Sequence, residues 1–183
     1  MTVRVVGIGG SLRPGSQSEL ALKVALSGAR EAGATVTALT GADLVLPFYD
    51  PSESERPEAA KRLVDLLREA DGVVLVSPGY HGSLSGLVKN ALDYVEDLRT
   101  DVRPYLDGRA VGCATTAAGW QASVTTLSAL RAIVHALRGW PTPLGSAINT
   151  VQVRFDAEGG CSEEQVAESL RTIGRQVVEF ATR

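Results

Sequence analysis

Val3-Arg4-Val5-Val6-Gly7-Ile8-Gly9-Gly10-Ser11-Leu12-Arg13-Pro14-Gly15-Ser16-Gln17-Ser18 is a short apolar run that stops in glycines and passes into a loop of three serines and one arginine. A helical pattern follows at once, over residues 19–32. A strand that empties through such a loop into a helix is a cradle for phosphate. Small residues let the backbone curl around the oxygens, and the helix N-terminus presents free N–H groups and a partial positive charge. Ser11, Ser16 and Ser18 add hydroxyl donors, and Arg13 adds a cation able to grip two oxygens at once. The stretch predicts a phosphorylated cofactor at the end of the first strand. The alternative is a Gly/Ser turn that holds nothing.

What the loop lacks narrows the ligand. A dinucleotide fingerprint G-x-G-x-x-G counted from Gly7 needs glycine at position 12, where Leu12 stands. A nucleoside-triphosphate loop G-x-x-x-x-G-K-[ST] fits from Gly10 to Gly15 and then meets Ser16 in place of its lysine, the charge that reaches the outer phosphates. A hydroxyl-rich pocket for one terminal phosphate monoester remains.

The rest of the chain is compatible with that pocket and excludes other classes. Its 183 residues suit one domain, spanning 1–183, with a sizeable core. At net charge −3, with no lysine/arginine cluster interleaved with aromatics, it has no field for nucleic acid. Cys113 and Cys161 form no C-x-x-C pair, and with two histidines in all no metal site is expected. The first residues lack the apolar core of a secretory signal, and no apolar run approaches membrane-spanning length. A reducing cytoplasm is the expected compartment, with no membrane partner.

Short apolar runs alternate with helical patterns along the whole length. Strands are predicted at 3–8, 35–39, 72–77, 110–116 and 144–147, and helices at 17–32, 58–69, 84–96, 122–137 and 163–181, with a proline-rich loop over 41–57. Five strand–helix alternations argue for a five-stranded parallel sheet with helices on both faces. In such folds ligands sit at the carboxyl ends of the strands, which gathers the loops after strands one, three and four on one edge.

Strand three empties into Ser77-Pro78-Gly79-Tyr80-His81-Gly82-Ser83-Leu84-Ser85-Gly86-Leu87-Val88-Lys89-Asn90-Ala91. Pro78 and Gly79 predict a sharp exit from the strand, Gly82 a close backbone approach to something flat, and Ser83 a cap for the next helix. Together with Gly10-Ser11-Leu12-Arg13, this second loop resembles the NADPH-dependent FMN reductase family of flavodoxin-like proteins, which includes chromate, quinone and azo-dye reductases. That family carries roughly G-S-L-R-x-x-S-x-N in its first loop. Its second reads P-E-Y-[NH]-G-S-x-[PS]-G, followed by a Lys-Asn-Ala helix. The resemblance runs in order over nearly the whole chain.

The resemblance implies a flavodoxin-like three-layer sandwich, a bound FMN, hydride uptake from NAD(P)H, a small-molecule electron acceptor and a homodimer, which could pair further into a dimer of dimers. Carried over by position, Ser11, Arg13, Ser16, Gln17 and Ser18 would hold the FMN phosphate. Pro78, Gly79, Tyr80 and His81 would line the flavin ring, with Gly82 and Ser83 completing that loop and Thr115, Thr116, Ala118 and Gly119 forming a third wall. Ser18 stands where the family has asparagine, Gly79 where it has glutamate, and Ala118-Gly119-Trp120 where it often has paired glycines. The flavin does the redox chemistry and the protein supplies grip and orientation. No carboxylate stands out as a catalytic acid, and His81 is the nearest candidate for proton donation or ring contact. Two other readings of the same fold are an electron carrier without its own small-molecule turnover, which would usually be more acidic and carry a T-x-T-G-x-T loop absent here, and a module that has lost its flavin. His135, Trp120 and Trp140 read as packing or interface residues, and Cys113 as a small buried hydrophobe. The stripe Leu127, Leu130, Val134 and Leu137, widened by Ala129 and Ile133, suits packing on the sheet and also a partner subunit.

Overall fold

The computed structural model describes residues 2–183. The opening apolar run is buried on both sides. In β1 (Arg4–Gly9), Val5 packs into one apolar layer while Val6 and Ile8 pack into the other. β3 (Gly72–Tyr80) repeats the division, with Val73 and Leu75 on one side and Val74 and Val76 on the other. Strands apolar on both faces are what a parallel sheet between two helix layers requires. β2 (Thr35–Thr40), β5 (Ala110–Ala117) and β6 (Trp140–Asn149) complete five parallel strands in the order β2-β1-β3-β5-β6. The two-residue β4 (Ser83–Leu84) pairs antiparallel with the end of β3.

α1 (Gln17–Glu31) and α5 (Glu164–Ala181) cover one face of the sheet; α2 (Glu58–Glu69), α3 (Gly86–Asp93) and α4 (Trp120–Ala136) cover the other. This is the expected flavodoxin-like sandwich. Strand order reverses at β1, so the crevice beside the β1 and β3 carboxyl ends is the topological switch point.

Five local expectations are corrected. β3 does not break at Pro78-Gly79: it continues to Tyr80, with Pro78 opposite Thr116 and Gly79 opposite Leu84. β1 pairing ends at Val76, so beyond it β3 has an unpaired side, where a proline costs no ladder bond. The chain reverses instead at His81-Gly82, whose φ values of 51° and 89° are those of a tight hairpin turn with both central residues left-handed. Ser83 is therefore a strand residue, and Ser85 caps α3, its Oγ accepting from Val88 N at 3.2 Å. The predicted helix over 84–96 is accordingly shorter and finishes as a 3-10 turn, Tyr94–Leu98. β6 begins at Trp140, four residues before the predicted start. Pro141 and Pro143 are accommodated because β6 is an edge strand whose register slips between Val111 and Cys113, and Arg131 donates to the Thr142 carbonyl there at 2.8 Å. His135, read as a packing or interface residue, lies in the last turn of α4 and is exposed, so it packs on no neighbour in the core.

The proline-rich loop after β2 is tied down. Asn90 of α3 accepts from Tyr49 N at 3.0 Å and donates to Pro47 O at 2.9 Å, while Tyr94 Oη donates to the same carbonyl at 3.0 Å. Arg56 stacks on the Tyr49 ring at 4.6 Å and forks onto Asp97 at 2.8 and 2.9 Å. The strap holds Phe48 at the surface with 89% of its area exposed.

Candidate cofactor site

α1 begins where the glycine-rich loop ends. Ser16 is its N-cap, with Oγ accepting from Glu19 N at 3.3 Å, and Ser11 Oγ accepts from Arg13 N at the same distance. Each hydroxyl has used its oxygen and kept its hydrogen, apart from the one shared between Ser16 Oγ and Ser18 Oγ at 3.2 Å. Among the described residues, the N–H groups of Ser11, Gln17 and Ser18 find no partner inside the chain. Unspent donors at the first turn of a helix are the elements of an anion cradle. Gly10 and Gly15, at φ 89° and 64°, give the loop the backbone turns that bring those groups together.

These groups face a pocket of about 430 Å³ that runs from the β1 loop across the end of β3 to the end of β5. Ser11, Arg13, Ser16, Gln17 and Ser18 line it, as do Pro78, Gly79, Tyr80, Thr116 and Ala118. No carboxylate lines it. Glu19 is drawn aside by Lys23 at 2.7 Å and by Gly15 N at 3.1 Å. In a chain of net charge −3, a strand-end crevice walled by arginine, with no acid among its described lining residues, favours an anion.

The remaining residues named from sequence lie outside the lining. Thr115 is fully buried and donates its hydroxyl to Ser123 O at 2.7 Å, so it braces α4. Gly119, at φ 130° and ψ 150°, begins α4 with a backbone that only glycine adopts readily. His81, Gly82 and Ser83 form the exposed hairpin tip beside the pocket. The side-chain amide of Gln17 is engaged at both its atoms, donating to Phe155 O at 3.0 Å and accepting from Phe155 N at 2.8 Å, while its backbone N–H has no partner in the chain. Ala117, Thr150 and Arg154 line the pocket and were missed. The loop after β6 belongs to the same carboxyl edge, and no local signal in the sequence marked its residues as lining.

The departure at Gly79 has a steric origin. A Cβ there would lie 2.7 Å from Thr126 Oγ1 and 3.2 Å from Ala117 Cβ. α4 occupies the space that the family's glutamate would need, and Thr126 Oγ1 donates to Ser83 O at 3.3 Å across it.

A larger cavity, about 550 Å³, opens at the opposite edge of the sheet among Arg68, Asp101, Arg103 and Arg109. Its arginines are committed to carbonyls and carboxylates of the chain itself. The free donors are at the carboxyl edge, where open α/β sheets bind their ligands.

Fold and site together define an α/β flavodoxin-like protein with a switch-point pocket lined by hydroxyl and guanidinium groups. The profile of the NADPH-dependent FMN reductase family matches residues 3–152, and the chain belongs to that family. An NADPH azoreductase of a Bacillus species is 38% identical over 88 residues, 48% of this chain and 46% of the relative, so the chain spans less than half the length of that protein. An NAD(P)H-dependent FMN reductase of Pseudomonas aeruginosa is 28% identical over 174 residues, covering 92% of this chain and 90% of its own. Among solved structures, the flavoenzyme NAD(P)H:(acceptor) oxidoreductase FerB of Paracoccus denitrificans shares the fold, with a TM-score of 0.73 at 21% identity over 99% of this chain and 98% of that one.

Proposed function

We propose that this chain is an FMN-dependent oxidoreductase that takes reducing equivalents from NAD(P)H and delivers them to a small acceptor such as free flavin, a quinone or an azo compound. The observation that carries the reading is the pocket at the switch point, with unspent hydroxyl and N–H donors, guanidinium groups and no carboxylate. That donor set fits the FMN phosphate, and the family match points to the same cofactor. Bound there, FMN supplies the two-electron chemistry.

The chain's own residues bind and orient. Ser11, Arg13, Ser16 and Ser18 hold the phosphate, helped by the backbone N–H of Gln17. Pro78, Gly79, Tyr80, Thr116 and Ala118 wall the ring end. His81, Gly82 and Ser83 form its outer rim, and Thr115 and Gly119 fix the start of α4 behind it. Besides the two arginines, Tyr80 is the sole titratable side chain of the described residues in the lining, so no acid or base is assigned. The test is a visible absorption spectrum of the purified protein mixed with FMN, before and after anaerobic NADPH and NADH. Uptake of the yellow colour and its bleaching by one donor are expected. A protein that takes up no FMN, or whose colour neither donor bleaches, would overturn the reading.

We read residues 1–183 as one flavin-binding domain, since helices on both faces pack on one sheet. We also propose a homodimer. Val45, Phe48, Tyr80, Trp120 and Val124 are large apolar residues left exposed, most of them on loops and helix starts at the carboxyl edge. Light scattering on the purified protein should return twice the chain mass, and a monomer at micromolar concentration would refute it. No helix among the described residues is long and apolar enough to cross a membrane. A reducing cytoplasm is supported by two free thiols, of which Cys113 is held neutral by burial that pushes its pKa up to about 12.

A further inference from the structure

We propose that Arg154, on the loop after β6 and beyond the stretch matched to the family, is a second cation for the bound phosphomonoester, supplied to the pocket by a different loop from the glycine loop. This rests on the flavin reading above and extends it to a residue the first loop's pattern does not contain.

Four observations support it. Arg154 lines the same pocket as Arg13 and the three serines. Among the described residues its guanidinium has neither an ion pair nor a hydrogen bond, whereas most arginines of the chain are paired or spent on carbonyls. Its backbone is fixed on both sides: Arg154 N donates to Ser162 Oγ at 3.0 Å and Arg154 O accepts from Ser162 N at 2.8 Å. Its neighbours Val153 and Phe155 are buried, so a long exposed side chain stands on an ordered base.

A further observation is the link to the phosphate loop. Gln17, the first residue of α1, clamps Phe155 through both its amide atoms, across 138 positions of sequence. The residue next to Arg154 is thereby tied to the helix start that carries Ser16 and Ser18. Gln17 is a positioning residue: its side chain sets the distance between the two arms of the pocket while its own N–H stays free. With Arg13 on one arm and Arg154 on the other, two guanidinium groups meet a dianion, and neither has a competing acid in the lining.

A phosphomonoester dianion reaches this site from two sources, FMN itself or the ribose 2′-phosphate of NADPH. We assign Arg154 to the flavin phosphate, because it shares the pocket with the serine cradle. The test titrates unmodified protein, Arg154→Gln and Arg154→Lys with FMN and with riboflavin, following quenching of flavin fluorescence, at low and high salt. For Arg154→Gln, FMN affinity is expected to fall roughly tenfold or more while riboflavin affinity stays within about twofold, since a charge-assisted contact is lost only when the phosphate is present. The lysine variant should recover part of the loss and the salt dependence, because it restores charge without the fork. Thermal melts should be unchanged, Arg154 having no internal contact to lose.

Equal losses for FMN and riboflavin, or no loss for either, overturn the proposal. A changed preference between NADPH and NADH with FMN affinity intact assigns the cation to the nucleotide and overturns it too. If the unmodified protein binds no FMN, the flavin reading fails and this inference with it. If it binds FMN and the variants do not differ, only this inference fails.

Discussion

Gly174→Leu should abolish cooperative folding, and Gly174→Ala should leave a weakened protein that binds flavin poorly. α1 and α5 pass each other in backbone contact on one face of the sheet. A Cβ on Gly174 would lie 2.0 Å from Ala25 O and 2.7 Å from Ala29 N, and one on Gly28 would lie 2.1 Å from Arg171 O. The obstructing atoms are helix backbone, which cannot turn aside as a side chain can. The helices must separate, opening the layer where Ala25, Ala29, Leu170 and Ile173 pack. Overpacking of this kind costs on the order of 4 kcal/mol or more for leucine, a large share of a typical domain's stability of about 5–15 kcal/mol. Urea titration followed by circular dichroism reads the loss. Gly86→Ala is the control: its Cβ meets nothing within 4 Å and its φ is not left-handed, so about zero to 1 kcal/mol of gain is expected. A Gly174→Leu transition within about 1 kcal/mol of the unmodified protein would refute the contact. The alanine variant has a functional readout as well. α1 carries Ser16, Gln17 and Ser18 at its start, so a displaced α1 spreads the phosphate cradle, and FMN affinity should fall more than riboflavin affinity.

The glycine-rich loop and the helix cap after it were legible because everything that makes them is contiguous. Gly9 to Ser18 contains the strand end, the turn glycines, the hydroxyls and the helix cap, and local rules of turn and cap apply without knowledge of the fold. The parallel sheet was legible for a related reason: in residues 73–76 an unbroken β-branched and aliphatic run excludes a strand with one wet face. What failed depended on neighbours. Pro78 looks like a terminator until the strand beside it is known to have ended two residues earlier. The prolines of β6 look like a loop until the strand is placed at the sheet edge. Gly79 reads as a lost carboxylate, and only the position of Thr126 shows that a helix fills that space. Arg154 and the Gln17–Phe155 clamp were invisible because the partners are 138 residues apart and nothing local marks an exposed arginine as a ligand. Asn90 lies in the motif that carried the resemblance, yet its work, strapping the loop at Tyr49 and Pro47, was equally hidden.

Arg109 shows the same limit at the other edge of the sheet, where the second large effect is expected. It is 1% exposed and no carboxylate touches it. Its guanidinium donates instead to the carbonyls of Ala70 at 3.0 Å, Arg68 at 2.9 Å, and Tyr105 and Asp107 at 3.3 Å. Two of these are the last carbonyls of α2, where the helix dipole favours a cation. Burial, with Arg103 nearby, pulls the pKa down to about 10, so the group is still charged at neutral pH. Arg109→Met should cost roughly 3 kcal/mol, because it leaves Tyr105 O and Asp107 O without a donor while Arg103 still reaches Arg68 O and Ala70 O. The sign with pH follows from the same value. The folded pKa lies below the unfolded one, so between them the unfolded chain holds more protons, and stability from this group rises with pH only above about 10. The difference between Arg109→Met and the unmodified protein should therefore be flat through the neutral range, and a steep change there would remove Arg109 as its cause. Arg103 gives the sharper test. The two arginines share a pair of carbonyls, so either can partly cover for the other. Arg103→Met with Arg109→Met should then cost more than the sum of the single variants, by about 0.5 kcal/mol or more. Repulsion between the like charges works the same way, since each single variant relieves it and the double relieves it only once, but high salt screens that part and leaves the shared carbonyls. A double variant no more damaging than the sum, at high salt, would show that the two arginines do not cover for each other.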